Sequence, residues 1–409
     1  MRYARRSTLT AAAMVVGLAL LVIFRTLGDG THEAWIEAAV QLGEGHLTIE
    51  APGFLQSGQL SDRLSAAERE AAMRALATPA LARHVAVVAP RLEMDGLANT
   101  ASGSAPVHIV AVDPATEAQF SLLRDKQVGG RYLEPGDRLQ AYLGTGLADL
   151  LDVRLGSRLV LTAPDPSGEV VGQLVRVVGT FRTGIPEVDY RTVQIPLALA
   201  GDWLRLGPDV TSLAILLRSK RDVAAVNARL RAALDATPVG HQVAVLTWRE
   251  TNPELAAAVR VDDAYDSVFY LILFAIIALA VVNTVLMSVL YRTREFGLVQ
   301  AFGLSPRQTG ALVFGEGIIL TAVSGLLGAV LGLAATWVFW RHGLDLSFLV
   351  QHGITVGGVI IEPVLLPQFR VAQVLESLGF ILLIGALASL YPAYKASRVE
   401  IAEAVKLEQ

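Results

Sequence analysis

The sequence predicts an α-helical membrane protein with four transmembrane helices and a large α+β extracytoplasmic domain between helices 1 and 2. Three observations predict it. The 409 residues are 53% hydrophobic and 18% charged, whereas ordinary globular chains carry roughly 25% charged residues. The mean hydropathy is +0.49, and the apolar excess is gathered into four runs. The long stretch between the first and second runs is polar, with mixed strand and helix periodicity.

A helix needs ~20 apolar residues to cross a ~30 Å hydrocarbon core. The first run, Leu9 to Phe24, follows Arg2, Arg5 and Arg6. It is long for a signal-peptide core, and no small-x-small cleavage site follows in Arg25-Thr-Leu-Gly-Asp-Gly30. Residues 1–28 therefore read as a tail and a retained first span. The second run, Val268 to Leu290, has no charge. The third, Ala311 to Trp340, has one, Glu316, and the fourth, Val371 to Tyr394, carries Glu376 near its start. Gly325, Gly328 and Gly332 offer a helix-packing surface, and Gly328-x-x-x-Gly332 has close-approach spacing, inside the subunit or at a dimer face. Glu316 would cost ~2.5–3.5 kcal/mol at the bilayer centre, so it is expected at the interface or against a protein partner. Asn283 is expected to hydrogen-bond between helices.

Orientation follows from basic residues near the spans. Arg2, Arg5 and Arg6, the loop residues Arg292, Arg294 and Arg307, and the tail residues Lys395, Arg398 and Lys406 fall on one side of a four-span topology. That side should be cytoplasmic, with residues 29–267 and the loop 341–370 outside. Residues 268–409 form a second domain carrying spans two to four.

Residues 29–267 are long enough for their own core. Strands are expected at His46–Glu50, Val85–Val88, Val107–Val112, Arg158–Thr162, Leu174–Val178, Ser212–Leu217 and Gln242–Leu246. Helices are expected at Ser61–Ala82, where Ser65-Ala-Ala-Glu68 has capping-box spacing, at Gly144–Leu151 and at Arg221–Leu234. This is an α+β domain, expected in two lobes. No catalytic or metal-ligating constellation stands out. The histidines, at 32, 46, 84, 108, 241, 342 and 352, lack metal-ligand spacing. Gly144-Thr-Gly146 is a partial dinucleotide fingerprint that reads better as a turn. No G-x-x-x-x-G-K-[ST] loop is present to bind nucleotide phosphates, and no cysteine supplies a thiol. A net charge of −4 gives no reason to bind nucleic acid.

The segment from Tyr291 to Gln308 joins spans two and three. Phe296, Val299 and Phe302 recur every third residue, with Arg294, Glu295 and Gln300 on other faces. That pattern suits a short amphipathic helix, either lying on headgroups or docking into a partner, and spacing does not decide between the two.

Arg292-Thr-Arg-Glu-Phe-Gly-Leu-Val-Gln-Ala-Phe-Gly303 resembles the signature of FtsX/MacB-type ABC permeases. Tyr391-Pro-Ala-Tyr-Lys-Ala-Ser-Arg398 with Glu403-Ala-Val-Lys-Leu-Glu408 resembles their closing motif, although Ile401-Ala402 stands where many relatives have proline. Val178–Gly184 and Val193–Leu197 look like their external core strands, and the layout of spans is also theirs. Within the family the sequence is most similar to the lipoprotein-releasing Lol permeases, although the hairpin 163–173 is shorter than the hook with which those permeases hold a periplasmic chaperone.

The resemblance implies a non-catalytic permease subunit in a bacterial inner membrane, with ATP bound on a separate ATPase dimer and no cofactor of its own. It implies a second permease copy or paralogue, and a periplasmic chaperone or adaptor. Arg294, Glu295, Phe296, Gly297, Val299, Phe302 and Gly303 become the ATPase-coupling residues, with the three apolar side chains in a groove of the ATPase. A lipid-anchored cargo would enter beside Val22, Phe24, Phe269 and Leu273. Efflux of a small toxic molecule or peptide, and regulation of an external hydrolase, are the alternatives that the same family admits.

Overall fold

The computed structural model describes residues 2–43, 45–342, 344–345, 354–356, 359–361, 364–365 and 371–398. His352, most of the loop 341–370 and the tail 401–409 with Lys406 lie outside the described residues.

In chain order, helix α1 (Arg2–Leu42) leads into strand β1 (Leu47–Glu50), helix α2 (Ala66–Leu76), and strands β2 (Val85–Asn99), β3 (Ser104–Val112), β4 (Gln127–Gly130), β5 (Gln140–Gly144), β6 (Arg158–Pro164), β7 (Val170–Phe181), β8 (Thr192–Pro196) and β9 (Ser212–Leu217). Helix α3 (Val223–Asp235) and strand β10 (Ala244–Thr247) follow, then helices α4 (Pro253–Tyr291), α5 (Thr293–Ala301), α6 (Pro306–His342) and α7 (Val371–Ser397). The chain divides into two compact units. Residues 1–33, 260–352 and 363–409 form a helical unit, and residues 34–259 with 353–362 form a sheet unit.

The sheet unit is built on one mixed sheet, ordered β10-β1-β9-β2-β3-β8-β5-β7-β4, with β6 pairing β2 and β7. The two expected lobes share this one sheet, and several separate apolar clusters lie along it. The reason is the length of β2, which pairs β9 from Val85 to Arg91, β3 from Arg91 to Asn99 and β6 from Leu97 to Asn99. Arg91, Glu93 and Asp95 interrupt its apolar pattern, so the sequence suggests only the first four residues. Arg91 and Glu117 are both buried and form a two-pronged pair, Nε–Oε2 3.1 Å and Nη2–Oε1 2.6 Å, with the guanidinium 4.6 Å from the Phe120 ring centre. Burial of both charges is tolerable because each satisfies the other.

Helix α2 starts at Ala66, not Ser61. Ser65 makes the capping box with Glu68, while Leu64 is drawn into a backbone bridge with Val210, its N–H donating at 2.8 Å. The Gly144-Thr-Gly146 step is a packing device. A Cβ on Gly146 would meet the Tyr190 ring at 2.8 Å, and one on Gly144 would meet the Asp189 backbone.

Among the described residues three helices are long and apolar enough to cross a membrane, over Pro253–Tyr291, Pro306–Val338 and Val374–Ser397. In α1 the apolar stretch among the described residues is Met14–Gly28, shorter than the other three. Helix α4 begins well before its apolar run because Asn252 caps it, accepting from the Leu255 N–H at 3.0 Å, with Pro253 in the first helical position. Met14, Leu18 and Leu21 of α1 share an apolar core with Ile277, Val281 and Val285 of α4, Val313 of α6 and Ile381 of α7. Glycines set the helix spacing. A Cβ on Gly328 would lie 2.5 Å from Leu18 Cβ, and one on Gly332 2.8 Å from Val22 Cβ, so this pair seats α1 against α6 within the subunit. Gly325 faces Leu378 and Ile381 of α7 at ordinary contact distance. Asn283, expected to bond another helix, is instead exposed, and Thr284 beside it is buried and bonds its own helix at the Ala280 carbonyl.

Candidate functional site: the coupling segment and the helix ends

The segment between α4 and α6 is an ordered helical turn gripped by its own subunit. Arg292 bonds Glu295 at 2.8 Å and Glu316 at 2.6 Å, and its guanidinium lies 5.1 Å from the Phe296 ring centre. Glu316, isolated in the sequence, is thus one half of an ion pair that brings the start of α6 to the end of α4. Gln300 donates to the Thr309 hydroxyl at 3.2 Å, fixing the other end of α5. The helix stops at Gly303, φ +104°, where the Gly303 N–H donates to the Gln300 carbonyl and the Leu304 N–H to that of Val299. These are the paired bonds of a glycine-terminated helix end.

The three apolar residues expected to couple to an ATPase are not on one face, which corrects the expected common surface. Phe296 is 3% exposed and packs in the subunit's own core, whereas Val299 is 40% and Phe302 89% exposed. Three residues turn an α-helix by ~300°, so each step drifts ~60° and Phe296 and Phe302 end ~120° apart. Leu298 joins Val299 and Phe302 on the exposed side. Arg294 and Glu295 are exposed beside them, and Gly297 is buried.

Of the four residues assigned to a cargo entrance, two meet at the surface. The Phe24 and Phe269 rings stand edge to face, 5.1 Å apart and 71° inclined, both substantially exposed. One residue on, Arg25 pairs with Glu376 of α7 at 3.0 Å and donates to Ser377 at 3.1 Å, closing that end of the helix group. Val22 is displaced from the proposed entrance: it is buried against Gly332. Leu273 is half-buried against the helix core.

The hairpin 163–173 pairs as far as Pro164 and Val170 and closes in a tight turn, where Asp165 Oδ1 accepts from the Ser167 and Glu169 N–H groups.

A polar cavity of about 140 Å³ in the sheet unit escaped the sequence reading; Glu50, Glu93, Asp95 and His108 line it. His108 and Asp95 are direct partners across β2 and β3, 3.3 Å apart, and His108 lies 3.8 Å from Glu93. Burial disfavours the charged imidazole, but the two carboxylates outweigh it and lift His108 to about 10. Burial raises Glu50 to about 7. The alternation Glu93-x-Asp95 is visible in the sequence, but its pairing with His108 needs the strand register. Among the described residues no group of three or more such side chains is placed to hold a metal ion.

Comparison with known proteins agrees with this architecture. The model of the FtsX-like permease C-terminal family matches residues 267–401, and that of the MacB-like periplasmic core domain matches residues 7–233, more than half of the chain. The chain is 24% identical over 333 residues to the lipoprotein-releasing system transmembrane protein LolC of Neisseria meningitidis serogroup B, covering 79% of each. It is 23% identical over 427 aligned positions to the macrolide export ATP-binding/permease protein MacB of Nitrobacter winogradskyi, covering 98% of this chain and 58% of that protein. The solved periplasmic region of MacB from Actinobacillus actinomycetemcomitans aligns with a TM-score of 0.34 and 13% identity, over 49% of this chain and 88% of that one. The chain belongs to the FtsX-like permeases with a MacB-like periplasmic core domain, and is an ABC transporter permease of the FtsX/MacB/LolC type.

Proposed function

We propose that the chain is a four-span permease subunit of the mechanotransmission type that releases lipid-anchored cargo, lipoproteins foremost, from the outer leaflet of the bacterial inner membrane. Both termini are cytoplasmic in this reading, and a dimer of separate ATPase subunits docks on the exposed edge of α5. The observation that carries the mechanism is the division of α5 into a gripped face, Arg292, Phe296 and Gln300, and a free apolar edge, Leu298, Val299 and Phe302. A partner moving that edge moves α4 and α6 with it. Helices α1 and α4 each contribute residues to both compact units, so they carry the chain from the moving bundle to the sheet unit.

The cargo reading rests on the exposed Phe24–Phe269 pair and on the similarity to LolC over 79% of both chains. Apolar contact there supplies ~0.8 kcal/mol per buried methylene of an acyl chain. Photo-crosslinkers at Phe24 and Phe269 should capture lipoproteins in cells, and deletion should impair lipoprotein sorting. Capture of phospholipid alone with normal sorting would sink the lipoprotein reading. It would favour export of a small molecule or peptide through a periplasmic adaptor, which the similarity to MacB over 98% of this chain supports. Reporter fusions at Gln127 and Ser305 test the orientation, extracytoplasmic and cytoplasmic respectively.

A further inference from the structure

Helices α6 and α7 flank an open groove of about 350 Å³ at the same end of the helical unit as α5. Its two walls have the same spacing. Arg307, Gly310, Ala311 and Phe314 line it from the first two turns of α6, and Leu390, Ala393, Tyr394 and Ser397 from the last two turns of α7. Each set sits at i, i+3, i+4 and i+7, one face of a helix. The floor is small because the helices nearly touch: a Cβ on Gly310 would meet the Ala393 carbonyl oxygen at 3.1 Å. Phe314 and Leu390 give the deep part an apolar lining, and Leu390 and Tyr394 are more than half exposed. The mouth is cationic. Arg307 is exposed and makes no ion pair among the described residues, and neither do the exposed Lys395 and Arg398. The Arg398 guanidinium lies 5.1 Å from the Tyr394 ring centre, which holds it over the groove wall.

An apolar groove running about 10 Å along the two helices, with exposed cations and a tyrosine at its rim, has the layout of a phospholipid: acyl chain below, phosphate at the interface. We propose that this groove binds an anionic phospholipid of the leaflet that faces the ATPase, with the phosphate held by Arg307 and Arg398 and one acyl chain along Phe314 and Leu390. Charge complementarity selects this occupant over a neutral lipid. The inference rests on the reading that α6 and α7 span the membrane with α5 on the ATPase side, and it is independent of the cargo.

The test places a photo-crosslinking residue at Leu390 in the full chain, reconstituted in vesicles of equal parts phosphatidylglycerol and phosphatidylcholine. Adducts should favour phosphatidylglycerol by about fivefold or more, and added salt should erode the preference. A crosslinker at Leu326, exposed on α6 away from the groove, should show parity. Arg307→Gln with Arg398→Gln should bring the Leu390 ratio to parity. Parity in the unsubstituted chain, or an unchanged ratio in the double variant, would overturn the proposal. So would adducts formed with residues 399–409 of the same chain, or with the ATPase in the assembled complex, since either would assign the groove to a protein segment.

Discussion

Truncating Phe302 should separate the subunit from its ATPase without unfolding it, and truncating Phe296 should do the reverse. At 89% exposure the Phe302 ring gives the isolated subunit little, so Phe302→Ala should change its stability by no more than ~0.5 kcal/mol. Docked in a partner's groove, an aromatic anchor is commonly worth ~2 kcal/mol or more, which is a loss of roughly 30-fold in affinity. Phe296 is 3% exposed, packed among the helices and covered by Arg292. Phe296→Ala leaves a cavity there and should cost ~3–5 kcal/mol of subunit stability. The assay pairs thermal unfolding of the detergent-solubilised subunit with a binding titration against the purified ATPase. A Phe302→Ala subunit that binds the ATPase with wild-type affinity and supports transport would refute the reasoning, leaving α5 a passive connector on the membrane surface. A stability loss as large as that of Phe296→Ala would also refute it, because the ring would then be holding the subunit together.

Gly328→Leu should prevent α1 from seating on α6 and lower the yield of folded subunit sharply, with Gly328→Ala intermediate; overpacking commonly costs ~1–3 kcal/mol. Normal monomer stability with loss of a permease dimer would assign the glycine to an intersubunit face instead. Glu117→Ala removes the two-pronged partner of the buried Arg91, leaving Glu93 at 3.9 Å and the Gly43 carbonyl, and should cost ~3 kcal/mol, read as faster hydrogen exchange in β2 and β3; unchanged protection would show that the pair is not structural. Burial lifts Glu50 from 4.5 to about 7, with the hydrogen bond from the Leu55 N–H opposing and Glu93 adding to the rise. A carboxyl raised on folding stabilises the fold below its ordinary value, and that contribution is lost as pH climbs through the folded value. Protection of β1 should therefore fall more steeply between pH 4.5 and 7 in the unsubstituted chain than in Glu50→Gln; parallel profiles would contradict the assignment.

Three long apolar helices were legible because lipid imposes a one-dimensional rule. Runs such as Val268–Leu290 need no tertiary knowledge to be recognised, although the structure starts α4 fifteen residues earlier, at Pro253. The capping box at Ser65 and the β6–β7 hairpin were likewise local, each set by residues within one turn or loop. What was not legible depends on partners far apart in the chain. Strand β2 was mostly hidden because Arg91, Glu93 and Asp95 look exposed until Glu117 and His108 arrive opposite them. Glu316 looked isolated until Arg292, 24 residues earlier, was placed beside it. The spacing of Phe296, Val299 and Phe302 established an amphipathic helix, but not which of its sides the subunit would keep. Periodicity defines a face only relative to the helix axis, and the packing of α4, α6 and α7 decided that Phe296 turns inward and Phe302 stays exposed.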